Sequence, residues 1–153
     1  MKLAHYLAAR VLSLPSDIER NSDALRALLS SGNAGRDIPV TVHQGDGSSQ
    51  SALLTSFLRK ESEINRLLRF IASGISEEEK KTIITEAEQR VDDRLDFFLR
   101  FDREPWLTER KLVLTVKGDC FHLTFSMAAY PKSRERAIAL VKQVFSSLQE
   151  RHQ

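Results

Sequence analysis

Apolar and polar residues alternate from Lys2 to Leu12, and this period of two predicts a β-strand. Pro15 ends the segment. Ser16 and Glu19 then have the spacing of a capping box, which predicts a helix from Asp17 to about Ser30. The apolar positions of this helix fall on one face and are Ile18, Leu25, Leu28 and Leu29. The chain therefore begins with a strand and an amphipathic helix.

The segment from Ile38 to His43 alternates again and predicts a short strand, followed by a loop over Gln44 to Ser51. The next part of the sequence is ambiguous. Helical spacing of its apolar residues favours one helix from Ser51 to Ser73, while Ala52 to Leu58 also fits a strand. The part after Lys60 is helical on either interpretation.

The second half of the chain starts with another capping box, Ser76 and Glu79, which predicts a helix to about Val91. Three strand patterns and a final helix follow. The predicted strands are Phe97–Asp102, Leu112–Lys117 and Phe121–Met127, with a hairpin turn at Gly118-Asp119 between the last two. The final helix follows Pro131 and has an apolar stripe of Ala137, Val141, Val144, Phe145 and Leu148.

These elements mix strands and helices without strict alternation of the two. Their order predicts an α+β fold with a largely antiparallel or mixed sheet, covered by helices on one face. The sequence contains no internal repeat and no linker long enough to separate two domains. We therefore expect residues 1–153 to form a single domain.

Composition adds little to this picture. Hydrophobic residues make up 41% and charged residues 29%, as is typical of a globular protein. No apolar run is long enough to span a bilayer, and the single cysteine, Cys120, cannot form an intramolecular disulfide. We therefore expect a cytoplasmic protein with no membrane partner.

The sequence shows no pattern for catalysis, metal binding or cofactor binding. Its histidines, His5, His43, His122 and His152, are isolated from one another. The loop around Gly45 and Gly47 lacks the lysine of a phosphate-binding P-loop, and no carboxylate pair suggests acid–base chemistry. We therefore expect a protein that is not an enzyme and uses no cofactor.

The last third of the chain is its basic part, because Lys111 to Gln153 contains seven Lys or Arg against three Asp or Glu, although the formal net charge of the chain is only +2. Lys and Arg side chains bind phosphate groups, and exposed aromatic rings between them stack on unpaired bases. From the residues alone, phosphate binding and plain solvation explain these charges equally well. The candidate RNA-binding residues are Arg100, Arg103, Lys117, Lys132, Arg134, Arg136, Trp106 and Tyr130.

Four short motifs, taken in their order and spacing, resemble the archaeal family of small RNA-binding, exosome-linked proteins. They are Ala4-His5-Tyr6-Leu7-Ala8-Ala9-Arg10, Leu99-Arg100-Phe101-Asp102-Arg103 within Leu95 to Glu104, Gly118-Asp119, and Ala129-Tyr130-Pro131. The chain departs from the family pattern in the loop His43-Gln44-Gly45-Asp46-Gly47, where the family has a Gly-His-aromatic-Gly-Asn-type sequence. It also has Arg103-Glu104 in place of a Lys-Gln pair.

The resemblance implies a fold similar to that of ribosomal protein L5, an α+β domain, and it implies that Ala52 to Leu58 is a strand. It also implies a non-catalytic accessory protein that binds the RNA backbone with low sequence specificity and is linked to the exosome. The resemblance transfers no set of binding residues, so the candidates above rest on charge and position. The alternative hypothesis is a protein-interaction or homodimer module, because the net charge is near zero and the middle of the chain is acidic.

Overall fold

Five strands form a single sheet in the computed structural model, which describes residues 1–33, 37–44 and 51–150, with the backbone only for residues 147–150. The strands are β1 (Ala4–Ser13), β2 (Thr41–Gln44), β3 (Ala52–Leu58), β4 (Asp96–Asp102) and β5 (Cys120–Met127). In the sheet they follow the order β2-β3-β1-β5-β4, and every neighbouring pair is antiparallel. The first strand of the chain therefore occupies the centre of the sheet.

Helices occupy the connections between these strands. They are α1 (Ile18–Leu29), α2 (Glu61–Gly74), α3 (Glu77–Thr85), α4 (Ala87–Arg90), α5 (Arg103–Glu109) and α6 (Arg134–Glu150), and a 3-10 turn at Pro15–Asp17 precedes α1. This architecture confirms the predicted α+β class with an antiparallel sheet. No helix within the described ranges has the length and apolar character needed to cross a membrane.

The helices bury one face of the sheet. α1 packs on β3 and β1, α2 packs on β1, and α6 packs against α2 and α3. Alternate strand residues supply the sheet side of this core, among them Leu7, Ala9, Leu54, Leu99 and Phe125. Each fully buried large apolar side chain stabilises the fold by roughly 1.5–3 kcal/mol. Burial of this layer therefore explains why the helices pack on this face of the sheet.

β3 decides between the two interpretations of its sequence. Ala52, Leu54 and Leu58 are buried, whereas Phe57 is 41% exposed, which is the alternation of a strand. The strand implied by the family resemblance is thus confirmed, and the single helix from Ser51 to Ser73 is wrong. The pattern misled because residues four apart share a face in a strand as well as in a helix.

The predicted strand at 112–117 and its hairpin turn at Gly118-Asp119 are also wrong. Both edges of β5 are occupied, by β1 and β4, so this segment lies along the outer edge of β4 instead. The Asp102 N–H donates to the Val113 carbonyl at 2.8 Å, and the Thr115 N–H donates to the Arg100 carbonyl at 3.0 Å. The unpredicted helix α5 carries the chain from β4 to this position.

The two predicted capping boxes have different outcomes. Ser76 and Glu79 form theirs: the Glu79 N–H donates to the Ser76 hydroxyl at 3.1 Å, and the Ser76 N–H donates to the Glu79 carboxylate at 3.0 Å. The helix after it ends at Thr85, six residues before the predicted end, and α4 follows. The box at Ser16 is wrong, because the 3-10 turn moves the start of α1 to Ile18, with no side-chain cap.

The strand β2 is shorter than predicted. The strand predicted from Ile38 begins only at Thr41, because the carbonyls of Ile38 and Pro39 accept hydrogen bonds from the side chains of Arg26 and Ser56 instead of from a neighbouring strand. The predicted loop residues 45–50 and the side chain of Leu148 lie outside the described residues.

Candidate nucleic-acid interface

The face of the sheet opposite the helices is open to solvent. We call it the open face; it carries the strand residues that alternate with the core positions. Arg10 and Arg100 are exposed on it, and Leu12 and Phe57 expose 59% and 41% of their surface. Large apolar side chains and arginines therefore share a surface that the rest of the described chain leaves uncovered.

Strand register brings three side chains of the open face into one row. Arg10 of β1 pairs with His122 of β5, and His122 pairs on its other side with Arg100 of β4. Side chains directly opposite each other on neighbouring strands have Cβ atoms about 4.5–5.5 Å apart, so the row is continuous. The row lines an open cleft of about 290 Å³ together with Leu53 and Cys120.

The two arginines of this row have no acidic partner in the part of the chain that the structure describes. Within the described part of the chain, neither Arg10 nor Arg100 has a side-chain hydrogen bond or an ion pair. Burial, and after it the positive charges of the two neighbouring guanidinium groups, lowers the pKa of His122 to about 4. The imidazole is therefore neutral near pH 7, between two permanent positive charges. Such an arrangement favours an anion in the cleft.

Cys120 does not add a nucleophile to the cleft. Burial raises the pKa of its thiol above the ordinary value, which keeps it protonated at neutral pH. Across the ranges that the structure describes, no group of three or more His, Cys, Asp or Glu side chains is placed to hold a metal ion. The chemistry on offer at the cleft is charge and hydrogen bonding.

A second feature of the open face is an aromatic shelf, by which we mean Tyr6, Phe57 and Arg59. The rings of Tyr6 and Phe57 are stacked, with centroids 5.8 Å apart and planes at 23°. The Arg59 guanidinium lies 5.6 Å from the Tyr6 centroid and 5.8 Å from the Phe57 centroid. Tyr6 precedes Arg10 by four residues on β1, so the shelf is about 13 Å from the arginine row.

The predicted site residues near the end of β4 differ in whether their charges are free to bind a ligand. Arg100 belongs to the row, and Lys117 is exposed with its Nζ 4.0 Å from an Asp102 carboxylate oxygen. Arg103 donates to the Asp119 carboxylate at 2.7 Å and lies 3.5 Å from Glu104, and the bond to Asp119 raises the pKa of Arg103. Its charge is thus already partnered within the protein.

The predicted residues at the start of α6 form a separate group beyond the other end of β5. Arg134 donates to the carbonyls of Val91 at 3.0 Å and of Glu88, so its guanidinium is bound to the end of α4 and the residue after it. Lys132 is exposed, and Arg136 and Tyr130 line an open cavity of about 520 Å³. The structure does not bring this group together with Arg100, because β5 runs about 17 Å from His122, the partner of Arg100, to Met127, and the group lies beyond that end.

Trp106 corrects one of the expectations. Its side chain is fully buried, and its indole N–H donates to the Ala24 carbonyl at 2.7 Å. A base cannot reach it, so the stacking role expected for it is wrong. Tyr130 is 68% exposed, and its hydroxyl lies 3.3 Å from the Nε2 atom of His5.

Sequence reasoning missed Arg10, Phe57, Arg59 and His122 as site residues. The available signal was the alternation itself, because Arg10 lies between the apolar residues Ala9 and Val11 and must point away from the core. What the alternation could not supply was the pairing of strands that are distant in the sequence.

Fold and open face together define the class: an α+β protein that presents arginines and aromatic rings on the uncovered face of an antiparallel sheet. A family model described as RNA binding matches residues 16–127. The chain therefore belongs to this RNA-binding family.

Archaeal proteins are similar to the chain over nearly its whole length. The RNA-binding protein PAB1135 of Pyrococcus abyssi is 24% identical over 144 residues, which cover 92% of each chain. The crystal structure of AF2318 from Archaeglobus fulgidus has a TM-score of 0.78 at 19% identity, covering 94% of this chain and 99% of that one. Mth689 from Methanothermobacter thermautotrophicus has a TM-score of 0.73 at 21% identity, covering the same shares. The two structures, which are described as DUF54 proteins, share the fold.

Proposed function

We propose that the protein is a non-catalytic RNA-binding protein that holds the RNA backbone on the open face of its sheet. The observation that carries this proposal is the row of Arg10, His122 and Arg100. In this row two guanidinium groups that have no partner among the described residues flank a neutral imidazole. Guanidinium groups bind phosphate through paired N–H donors, and a neutral imidazole adds one more hydrogen bond. Backbone contacts of this kind carry no sequence information, which agrees with low sequence specificity.

Several of the other predicted residues extend this surface. Lys117 lies at the same end of the sheet as Arg100 and adds an exposed positive charge there. Lys132, Arg136 and Tyr130 form a second group at the far end, where a longer RNA can make additional contacts. Arg103 and Arg134 have protein partners already, and we assign them a structural role.

The finer parts of the proposal rest on the family resemblance. A link to the exosome and to RNA processing is an expectation drawn from the sequence motifs, as is the likeness to the fold of ribosomal protein L5. Location in the cytoplasm rests on the single cysteine. Co-purification of tagged protein with exosome subunits, with and without ribonuclease, tests the exosome link and separates direct contact from tethering by RNA.

The central experiment removes both charges of the row. The double variant Arg10→Gln/Arg100→Gln is expected to lower RNA affinity at least about tenfold, because each charge-assisted hydrogen bond is worth roughly 1.5–3 kcal/mol. Fluorescence anisotropy with labelled RNA at several salt concentrations gives both affinity and its salt dependence. The slope of log affinity against log salt should become shallower by about 1.4, since two single-strand phosphate contacts are lost.

A matched control removes two positive charges elsewhere. Arg20 and Lys81 are exposed on the helices α1 and α3, and Arg20→Gln/Lys81→Gln makes the same change in net charge. We expect this variant to bind RNA nearly as the wild type does. An equal loss in both double variants would mean that the protein attracts RNA through its total charge, and the assignment to the open face would fall.

A second candidate function is homodimerisation through the sheet. The observation in its favour is the exposure of apolar side chains, since Leu12 and Phe57 on the open face and Val42 on the edge strand β2 are 59%, 41% and 40% exposed. A sheet edge or an apolar face can pair with a second copy. Light scattering across a concentration series tests this: a monomer at the highest concentration excludes the homodimer, and a dimer that RNA dissociates would place both partners on the same surface.

A further inference from the structure

We infer that the aromatic shelf of Tyr6, Phe57 and Arg59 is a stacking site for an unpaired nucleobase, so that the RNA bound on the open face is single-stranded. This inference rests on the proposed function and specifies its ligand. It is drawn from the exposure of Phe57, from the stacking of Tyr6 on it and from the position of both rings relative to the arginine row.

Phe57 is unusual among the phenylalanines of the chain. Phe57 is 41% exposed, whereas Phe70 and Phe98 are partly buried and the other five are each at most 1% exposed, namely Phe97, Phe101, Phe121, Phe125 and Phe145. Exposed apolar side chains that are grouped into a patch mark binding sites, and Phe57 forms such a group with Tyr6. Tyr6 fixes the orientation of Phe57 by stacking on it, so a base meets a preformed surface.

Arg59 suits this surface to a nucleobase. Its guanidinium lies near both rings, and within the described residues these ring contacts are its partners. A planar cation stacks on aromatic rings and on bases alike, and base–aromatic stacking tolerates any base because each has a π-face. The shelf also places a positive charge beside the phosphate of the stacked nucleotide.

The aromatic shelf and the arginine row lie close enough together for one RNA strand to contact both. Tyr6 and Arg10 lie on the same strand and the same face, about 13 Å apart. An RNA strand running along β1 can therefore lay a base on the shelf and its backbone along the arginines. In an A-form duplex the bases are already stacked and paired, so they cannot reach a flat ring on a sheet.

The test compares three RNA probes of the same length, about eight nucleotides. They are a single-stranded oligoadenylate, the same strand with abasic positions, and a G·C-rich RNA duplex, which stays paired at this length. We expect the wild type to bind the intact single strand most tightly. Phe57→Leu, which keeps an apolar side chain but removes the ring, should weaken that binding about tenfold and leave the abasic strand unaffected. Phe57→Tyr should retain the affinity of the wild type.

A spectroscopic readout accompanies the titrations. A 2-aminopurine placed in the single strand loses fluorescence when it stacks on an aromatic ring, so binding to the wild type should quench it and binding to Phe57→Leu should not. Thermal unfolding of each variant shows whether the sheet is intact.

The remaining outcomes overturn the inference in distinguishable ways. If Phe57→Leu weakens the intact and abasic strands equally, or weakens neither, the shelf is no base site. The proposed backbone contacts are then tested separately by the Arg10→Gln/Arg100→Gln variant. If the duplex binds as tightly as the single strand, the ligand assignment is wrong. If the wild type binds none of the probes, both the inference and the proposed function are wrong.

Discussion

His122 makes the stability of the protein depend on pH in a direction that the structure fixes. Burial and the positive charges of Arg10 and Arg100 hold its pKa at about 4, below the ordinary value of 6.5. The unfolded chain therefore takes up this proton at a higher pH than the folded protein does. As the pH falls from 6.5 towards 4, the folded state loses stability relative to the unfolded state, and above pH 7 this contribution is constant.

The size of the effect follows from the shift. The interval between 6.5 and about 4 corresponds to at most about 3.4 kcal/mol at 1.36 kcal/mol per pKa unit. Because the imidazole is only half-buried, solvent screening reduces this upper bound to roughly half, about 1.7 kcal/mol. Between pH 7.5 and pH 5 the remaining loss is roughly 1 kcal/mol.

Urea unfolding of the wild type and of His122→Asn, at several pH values between 7.5 and 5, isolates this contribution. Carboxylates and other histidines affect both proteins equally, so the difference in unfolding free energy reports His122 alone. We expect the advantage of the wild type over the variant to fall by roughly 1 kcal/mol across this range. In the background of Arg100→Gln the fall should be smaller, because one of the two repelling charges is gone. A difference that stays constant with pH, or that grows as the pH falls, would refute the electrostatic reasoning.

Two further predictions concern the side chains whose expected role in RNA binding changed. Trp106→Phe removes the indole N–H that donates to the Ala24 carbonyl and with it a buried hydrogen bond, so it should lower the free energy of unfolding by roughly 1–3 kcal/mol in urea titrations. An unchanged stability would contradict the structural role. Arg134→Gln should lower the melting temperature by several degrees, because it removes a charged donor from the Val91 and Glu88 carbonyls, while RNA affinity measured well below the transition stays within about twofold of the wild type. Loss of RNA affinity in a fully folded Arg134→Gln protein would return this residue to the binding surface.

The fold was predictable from the sequence where the signal was local. The alternation in β1, β4 and β5 and the capping box at Ser76 each depend on residues close together in the chain. The helix α5 gave no such signal, because Arg103–Glu109 contains a proline and has only two buried residues, Trp106 and Leu107. The burial of those two side chains, a tertiary effect, holds it in place.

The candidate site was less predictable, and the reason is physical. Arg100 was identified from its charge, but Arg10 and His122 acquire their meaning only through strand pairing. Residues near positions 10, 100 and 122 become neighbours because β5 lies between β1 and β4. A local sequence pattern does not predict this order of strands in the sheet. Arg103 and Arg134 show the converse case, since basic side chains with a plausible position turned out to be bound by protein acceptors.

The central position of β1 has a consequence for how the molecule assembles. In the sheet Ala9 pairs with Ser56 of β3 on one side and with Leu123 of β5 on the other. Leu123 lies more than one hundred residues after Ala9 in the chain. Closing so large a loop has an entropic cost before any pairing rewards it, so folding of this sheet is slow compared with that of a helical bundle of equal length. During synthesis one side of β1 stays unpaired until β5 has emerged. The sheet and the row of cationic side chains across it therefore come into existence in the same late step.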